Sequence, residues 1–407
     1  MTNEKDLIML KLGGYCLSNS QIKKSVDIVA KLSKSFRLCV VVSSDPEETN
    51  RLRDSAIEIT QKPDPREFDA LLSTAETETA ALFAIRLISM NCPARSINAF
   101  QLGLKTDSKH GKARIKDLNK RSLTQIKLSN YIYIVAGFQG LTEEKAVSTL
   151  GRGGGDITAV CLAAATKAKE CVLFKRYPGL FDTDPILDPN TSQLKSLASD
   201  ELVEMANFGM RAIQLRAAQF AFVNKVPLRI TSTNDLRGGT RVVAIGKGDP
   251  TYKLVTSSDQ SLVAINGVSN RPGSMASIYS SLLHESVYFT AVSQSMGYQN
   301  HARVDLVIPE EDIEIVALVL DRLAARSILK NFTFHNEIIL CSLIGAQMEN
   351  DVGIAARFVA VFEDLGINIK MVNTSTKRIT VVLDQNQTKD KYQVFCNRLR
   401  EKQILRR

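Results

Sequence analysis

Residues 150–156 read LGRGGGD, and three consecutive glycines flanked by an arginine and an aspartate constrain this chain more than any other stretch. An apolar run, YIYIVA at 131–136, and a turn, GFQG at 137–140, precede it. The small and apolar residues of 157–168 (ITAVCLAAATKA) follow and read as a buried helix. Glycine allows a tight turn and a close approach of backbone to a ligand. The first turn of the helix adds unpaired N–H groups and the positive end of the dipole, which together form an anion site. Arg152 can fork onto a carboxylate or phosphate, and Asp156 can orient an ammonium, a lysine or a hydrated metal. A flexible surface loop is the plainer reading of the glycines. The anion site is preferred because charges of both signs flank them at a helix start.

At 407 residues the chain has material for two or three domains, and a hydrophobic fraction of 44% favours packed cores over disorder. No apolar run approaches the roughly 18 residues of a membrane span. The opening MTNEKD lacks the basic-then-apolar pattern of a secretory signal, so no membrane association is expected. Seven singly scattered cysteines without a CxxC suit reduced, buried thiols and a cytoplasmic location. Four dispersed histidines argue against a histidine-built metal centre, and no resident metal site is expected. The net charge of +9 is spread along the chain apart from the tail RLREKQILRR at 398–407. That distribution suits a field for small anions or a solvated surface, and no nucleic-acid partner is expected.

Residues 7–12 (LIMLKL) read as a buried strand running into Gly13-Gly14. Lys11 within it is either a snorkelling edge lysine or a cation facing phosphate at the strand's carboxyl end; the second is preferred, because open α/β sheets bind ligands there. Apolar residues at helical spacing in 20–35 and the run LCVVV at 38–42 continue an alternation of helix and strand that argues for an α/β sheet domain. GKGDPTY at 246–252 reads as linker. Beyond it, residues 264–293 and 343–383 share one plan of strand, turn, helix and strand, an internal repeat.

TLGRGGGDITAV at 149–160 resembles the TLGRGGSDxTA signature of the aspartokinases, members of the amino-acid kinase superfamily. Other segments carry the likeness along nearly the whole chain. KLGGYC at 11–16 is similar to the family's KFGGTS, with Tyr15 and Cys16 in place of the hydroxyl pair. SSDPEETNRL at 43–52 keeps Thr49-Asn50, and PDPREFDALLSTAETET at 63–79 resembles PxPRExDxLLSTGE with Ala75 for the glycine. TDSKHGKAR at 106–114 matches a family loop. The likeness thins after the glycine helix. In VLFKRYPGLFDTDP at 172–185, Lys175-Arg176 stand for Thr-Asp and Phe181 for Tyr. In FGMRAIQLRAA at 208–218, Arg211 stands for a lysine and Gln214-Leu215 for His-Pro. The C-terminal repeats resemble ACT domains, small-molecule regulatory modules, with Val352 for the usual proline in the second.

The resemblance implies an amino-acid-kinase-type open α/β sheet flanked by helices, followed by two ACT-like α+β regulatory modules. The expected limits are a catalytic domain over 1–245, a linker over 246–257 and modules over 258–334 and 335–407. It implies phosphoryl transfer from ATP, carried as its Mg2+ complex, to the aspartate β-carboxylate, the first step toward lysine, threonine, methionine and diaminopimelate. A carboxylate with a pKa of about 4 is already ionised at neutral pH, so no general base is required. Catalysis then reduces to positioning and charge neutralisation.

In that scheme Lys11 and Asp156 are catalytic, Asp156 ordering Lys11 and the nucleotide magnesium. Arg152 would take the substrate α-carboxylate and Glu76 its ammonium, with Thr49 and Phe138 completing that side. Glu76 read alone could be an ordinary exposed helix residue, and its surroundings favour the functional reading. Gly13, Gly14, Gly153, Gly154, Gly155, Lys175, Arg176, Phe181, Asp184 and Arg211 would face the nucleotide. An amino-acid effector at the ACT modules and a homodimer or larger assembly are further expectations. Two alternatives stand beside this reading: a degenerate kinase acting as an amino-acid-binding regulatory protein, and a kinase for another amino-acid carboxylate.

Overall fold

The computed structural model of the protein describes residues 5–285, 287–296, 301–388 and 390–406. The first of its two units contains the chain up to Leu180 with Gln193–Ala206 and Arg211–Asp249. The second contains Phe181–Ser192, Asn207–Met210 and the chain from Pro250 onward.

An eight-stranded sheet carries the first unit, in the order Ser196–Ala198, Thr240–Val243, Leu228–Ser232, Glu170–Lys175, Leu7–Leu12, Arg37–Val42, Ile132–Ala136, Ala94–Ile97. From Leu228–Ser232 to Ala94–Ile97 all neighbours are parallel, and Thr240–Val243 is antiparallel to Leu228–Ser232. Parallel strands are covered on both faces and read as continuous apolar runs. LIMLKL and IYIVA are accordingly buried at every position. Leu7–Leu12 lies between Arg37–Val42 and Glu170–Lys175. Strands from the earlier part of the chain lie on one side of it and strands from the later part on the other. Its carboxyl end is therefore a switch point, the position where open α/β sheets bind ligands.

Two helices bring side chains to that end. Pro65–Ser89 starts at an Asp64 cap that accepts from the N–H groups of Arg66 and Glu67, with Pro65 in the first turn, where its missing donor costs nothing. Gly154–Thr166 is buried along most of its length and packs on Leu7–Leu12. A small sheet of Ile115–Leu118, Leu104–Thr106, Gln139–Leu141 and Val147–Thr149 leads into it.

The second unit holds two four-stranded antiparallel sheets. One has the order Ala291–Met296, His301–Pro309, Gln260–Ser269, Asn331–His335, with Ser274–His284 and Ile313–Ala325 as its helices. The other has the order Lys253–Ser257, Ile338–Ile344, Arg378–Asp384, Ile369–Ser375, with Ile354–Asp364 and Tyr392–Glu401. Phe208, Leu262, Val307, Leu340 and Val382 share an apolar cluster to which both sheets contribute. Asn373 Nδ2 donates to the Val292 carbonyl at 3.0 Å.

Part of the expected linker is structured. Lys253–Ser257 pairs with Ile338–Ile344 and completes the second sheet, so the first module is inserted into the second. No local pattern marks this, because the partner strand lies far along the chain. Likewise Phe181–Ser192 and Asn207–Met210, expected within the catalytic domain, group with the C-terminal unit.

Candidate active site

The C-terminal ends of the central strands and the start of the glycine helix gather the charged residues. Lys11 Nζ lies 3.0 Å from Asp156 Oδ1, and both side chains are almost wholly buried. Lys175 Nζ lies 2.8 Å from Asp156 Oδ2 and 3.0 Å from Oδ1. The Gln214 N–H donates to Asp156 Oδ2 at 3.3 Å. Burial raises the Asp156 carboxyl, but Lys11 and Lys175 outweigh it and hold the pKa at about 2. Burial lowers the Lys175 ammonium, and Asp156 works against that. Asp156 is thus a fixed anion between two ammonium groups.

Backbone conformation or close approach accounts for the loop glycines and for Gly14. Gly153 caps the helix at φ 76°, a conformation L side chains rarely adopt. A Cβ on Gly155 would stand 3.1 Å from Ser43 Oγ and 3.2 Å from Lys11 Cε. One on Gly154 would stand 2.8 Å from Leu150 Cβ and 3.1 Å from the Phe138 ring. Phe138 itself has φ 70°, and its carbonyl accepts from the Leu150 N–H at 2.8 Å. Gly13 lies beside Lys11, where an added Cβ would be 3.5 Å from the ammonium; one on Gly14 would meet the Pro46 ring at 2.9 Å.

A second polar group is built on the helix Pro65–Ser89. Glu76 is 5% exposed, far from the exposed helix residue its sequence also allowed. Its Oε1 accepts from Ser44 Oγ at 3.2 Å, and Ser44 shares a 2.5 Å hydrogen bond with Thr49. Among the described residues Glu76 Oε2 has no hydrogen-bond partner. Burial raises the carboxyl to about 7, with the Ser44 hydrogen bond and Lys11 pulling the other way. A buried, half-satisfied carboxylate favours a cation beside it, and an ammonium meets that need.

Lys11, Asp156, Lys175 and Gly13, Gly14, Gly153, Gly154 and Gly155 therefore assemble at one end of the sheet. Thr49 and Glu76 meet through Ser44, and Phe138 packs on the glycine loop. Arg152 is exposed on the turn before the helix, its carbonyl accepting from Gln214 Nε2 at 2.9 Å. Arg176 is exposed, its guanidinium 5.8 Å from the ring centroids of Tyr15 and Tyr177. Arg211 is exposed in the first unit. Phe181 and Asp184 belong to the second unit. There the Asp184 carboxylate accepts from the Ile186 N–H, and the Asp184 N–H donates to the Tyr392 hydroxyl at 3.4 Å.

Sequence reasoning missed Ser44 and Asp69. Asp69 accepts from the Gly111 N–H at 2.9 Å, from the Thr149 N–H at 2.9 Å and from Thr149 Oγ1 at 2.5 Å, and pairs with His110 Nδ1 at 2.9 Å. It ties the HGKAR loop to the strand entering the glycine loop. Its position seven residues before Glu76 places both acids on one helix face, a signal present in the sequence.

A magnesium held by Asp156 does not fit these contacts. An ionised carboxylate offers about four lone-pair sites, and those of Asp156 are met by Lys11, Lys175 twice and Gln214. Among the described residues no group of three or more His, Cys, Asp or Glu forms a metal-binding cluster.

Residues 6–232 match the amino acid kinase family and residues 341–393 an ACT domain. An aspartate kinase of Stutzerimonas stutzeri is 32% identical over 93% of each chain. Aspartokinase 2 of Bacillus subtilis is 31% identical over 93% of this chain and 94% of its own. The fold matches that of E. coli aspartokinase III in complex with aspartate and ADP, with a TM-score of 0.82 at 20% identity over 98% of this chain and 99% of that one. The crystal structure of the same E. coli enzyme with lysine and aspartate gives a TM-score of 0.68 at 21% identity, over 97% and 99% of the two chains. With its buried Lys11–Asp156 pair, glycine loop and C-terminal ACT repeat, the chain belongs to the amino acid kinase family, among the aspartate kinases.

Proposed function

We propose that this chain transfers the γ-phosphoryl group of ATP to the β-carboxylate of aspartate. The observation that carries the reading is the pair of complementary polar groups in the first unit. Lys11, Lys175 and the glycine N–H groups suit the transferring phosphoryl, and the buried Glu76–Ser44–Thr49 group suits an amino-acid ammonium. The substrate carboxylate is its own nucleophile, so the chain's task is to orient it and to neutralise charge on the phosphoryl oxygens. Arg152, on the exposed turn, would fork onto the α-carboxylate. Magnesium would enter with the phosphates of ATP rather than on a protein carboxylate.

The two ACT modules support control by an amino-acid effector. A cleft of about 340 Å³ in the first module, lined by Ser269, Asn270, Arg271 and Gln294, suits a small polar ligand. The expected setting is a cytoplasmic homodimer, or a larger assembly, at the head of a route to lysine and related amino acids. ATP-dependent hydroxamate formation with aspartate, run beside other amino acids, tests the activity. Aspartate-specific hydroxamate supports it. Binding of aspartate without turnover would leave an amino-acid-sensing protein, and turnover of another amino acid would reassign the substrate.

A further inference from the structure

We propose that Lys175 is a second phosphate-binding cation that takes the place of a carboxylate-held metal, so that this site holds the donor's phosphates whether or not a divalent ion accompanies them. The proposal rests on the aspartate-kinase reading and narrows it to how the donor is held.

Three observations carry it. First, Asp156 has no acceptor capacity left: Lys11 and Lys175 both bond Oδ1, and Lys175 and the Gln214 N–H bond Oδ2. A hydrated dication approaching this carboxylate would have to displace an ammonium that is already anchored. Second, the three charged groups sum to one net positive charge, two ammoniums less one carboxylate, at the N-terminal end of the 13-residue helix Gly154–Thr166. Ammoniums, helix N–H groups and dipole all favour an anion and disfavour a further cation. Third, the three side chains differ in reach. Lys11 and Asp156 are 6% and 3% exposed, whereas Lys175 is 19% exposed and keeps part of its side chain accessible.

The backbone explains why Lys175 is placed there. It is the last residue of Glu170–Lys175, whose Phe174 pairs with Leu12, so it emerges level with the turn at Gly13. A lysine on this strand reaches across to the glycine helix and meets the aspartate that also anchors Lys11. Asp156 is thus an anchor for two ammoniums. Arg176, the next residue, adds a further exposed positive charge beside the rings of Tyr15 and Tyr177.

The test is calorimetric titration of the full chain with ATP and with inorganic triphosphate, each in magnesium and in EDTA. Wild type, K175T and K175R are compared, with aspartate titrated into each as a control for an intact first unit. Wild type is expected to bind both phosphoanions in EDTA. Loss of one charge-assisted bond should weaken that binding about ten- to hundredfold in K175T. K175R should restore most of it, and aspartate affinity should hold across the three proteins. Wild type that binds ATP with magnesium but not in EDTA overturns the proposal and leaves the kinase reading intact. K175T that matches wild type in EDTA also overturns it. Absence of ATP binding even with magnesium overturns both.

Discussion

The buried carboxylate of Asp188 is paired with the guanidinium of Arg400, 212 residues further along the chain. Arg400 Nη1 stands 3.3 Å from Oδ1, Nη2 meets Oδ2, and the same guanidinium donates to the Asn190 carbonyl at 3.1 Å. Thr183 donates to Asp188 from the other side. Burial raises the Asp188 carboxyl, and Arg400 and Thr183 more than offset it. Phe181–Ser192, a stretch inside the family match, is therefore pinned to the last long helix of the C-terminal module.

Arg400→Ala should leave that carboxylate buried and unpaired. Removing one partner of a buried pair costs about 3–5 kcal/mol, and denaturant unfolding followed in the second unit should read a loss of this size. Limited proteolysis should gain a cut within 181–192. A loss no larger than that of Arg398→Ala, whose partner is the exposed Glu401, would mean the pair holds nothing in place.

Glu76 gives a pH dependence with a defined sign. Its folded pKa is raised from 4.5 to about 7 by burial. Such a group contributes stability below its ordinary value, and that contribution is lost as pH rises through about 7. An ammonium prefers the ionised form, so aspartate affinity should fall about tenfold per pH unit below 7, and binding near neutrality should release a proton. Titrations between pH 5.5 and 8 in buffers of different ionisation enthalpy read both effects. Glu76→Gln should bind weakly and show a flat profile; a sloping profile in the variant would assign the titration elsewhere.

Arg152→Ala should weaken aspartate more than ATP. A charge-assisted pair contributes about 1.5–3 kcal/mol, or roughly ten- to hundredfold in affinity. Equal losses for both ligands would place the guanidinium on the phosphates.

Truncation after Asp249 should abolish self-association, since sheet edges such as Asn331–His335 lie in the C-terminal unit. Paired edges are also protected from aggregation. Sedimentation at several concentrations is the measurement, and a truncated chain still dimeric at unchanged affinity would contradict it. The truncated chain also lacks Arg400, so Asp188→Asn is built into it to avoid an unpaired buried charge.

What was legible from sequence was whatever local chemistry demands. The three glycines, Lys11 in an apolar strand and the repeat beyond residue 260 each carry a mark within a few residues. Glu76 was found only through its surroundings, and Ser44, which holds it, carries no mark at all because their meeting is made by tertiary closure. Lys175 was read as an unusual cation, but its bond to Asp156 depends on two strands lying side by side. The ownership of Lys253–Ser257 was hidden for the same reason. Its partner strand follows an entire intervening module.

That insertion sets an order of events during synthesis. Ser257 pairs with Leu340, so the outer sheet closes a loop of roughly 80 residues, which for a flexible chain costs on the order of 4 kcal/mol beyond a constant. The inserted module brings its own ends together, with Leu262 opposite His335, and so shortens that loop before the outer strands meet. It is also complete on the ribosome before Ile338–Ile344 has emerged, and domains fold largely as units in the order they are made. The inner module is therefore expected to fold first and to act as the clasp on which the outer one forms. A slow-folding mutation in the inner module would delay both, whereas one in Ile354–Asp364 would delay only the outer.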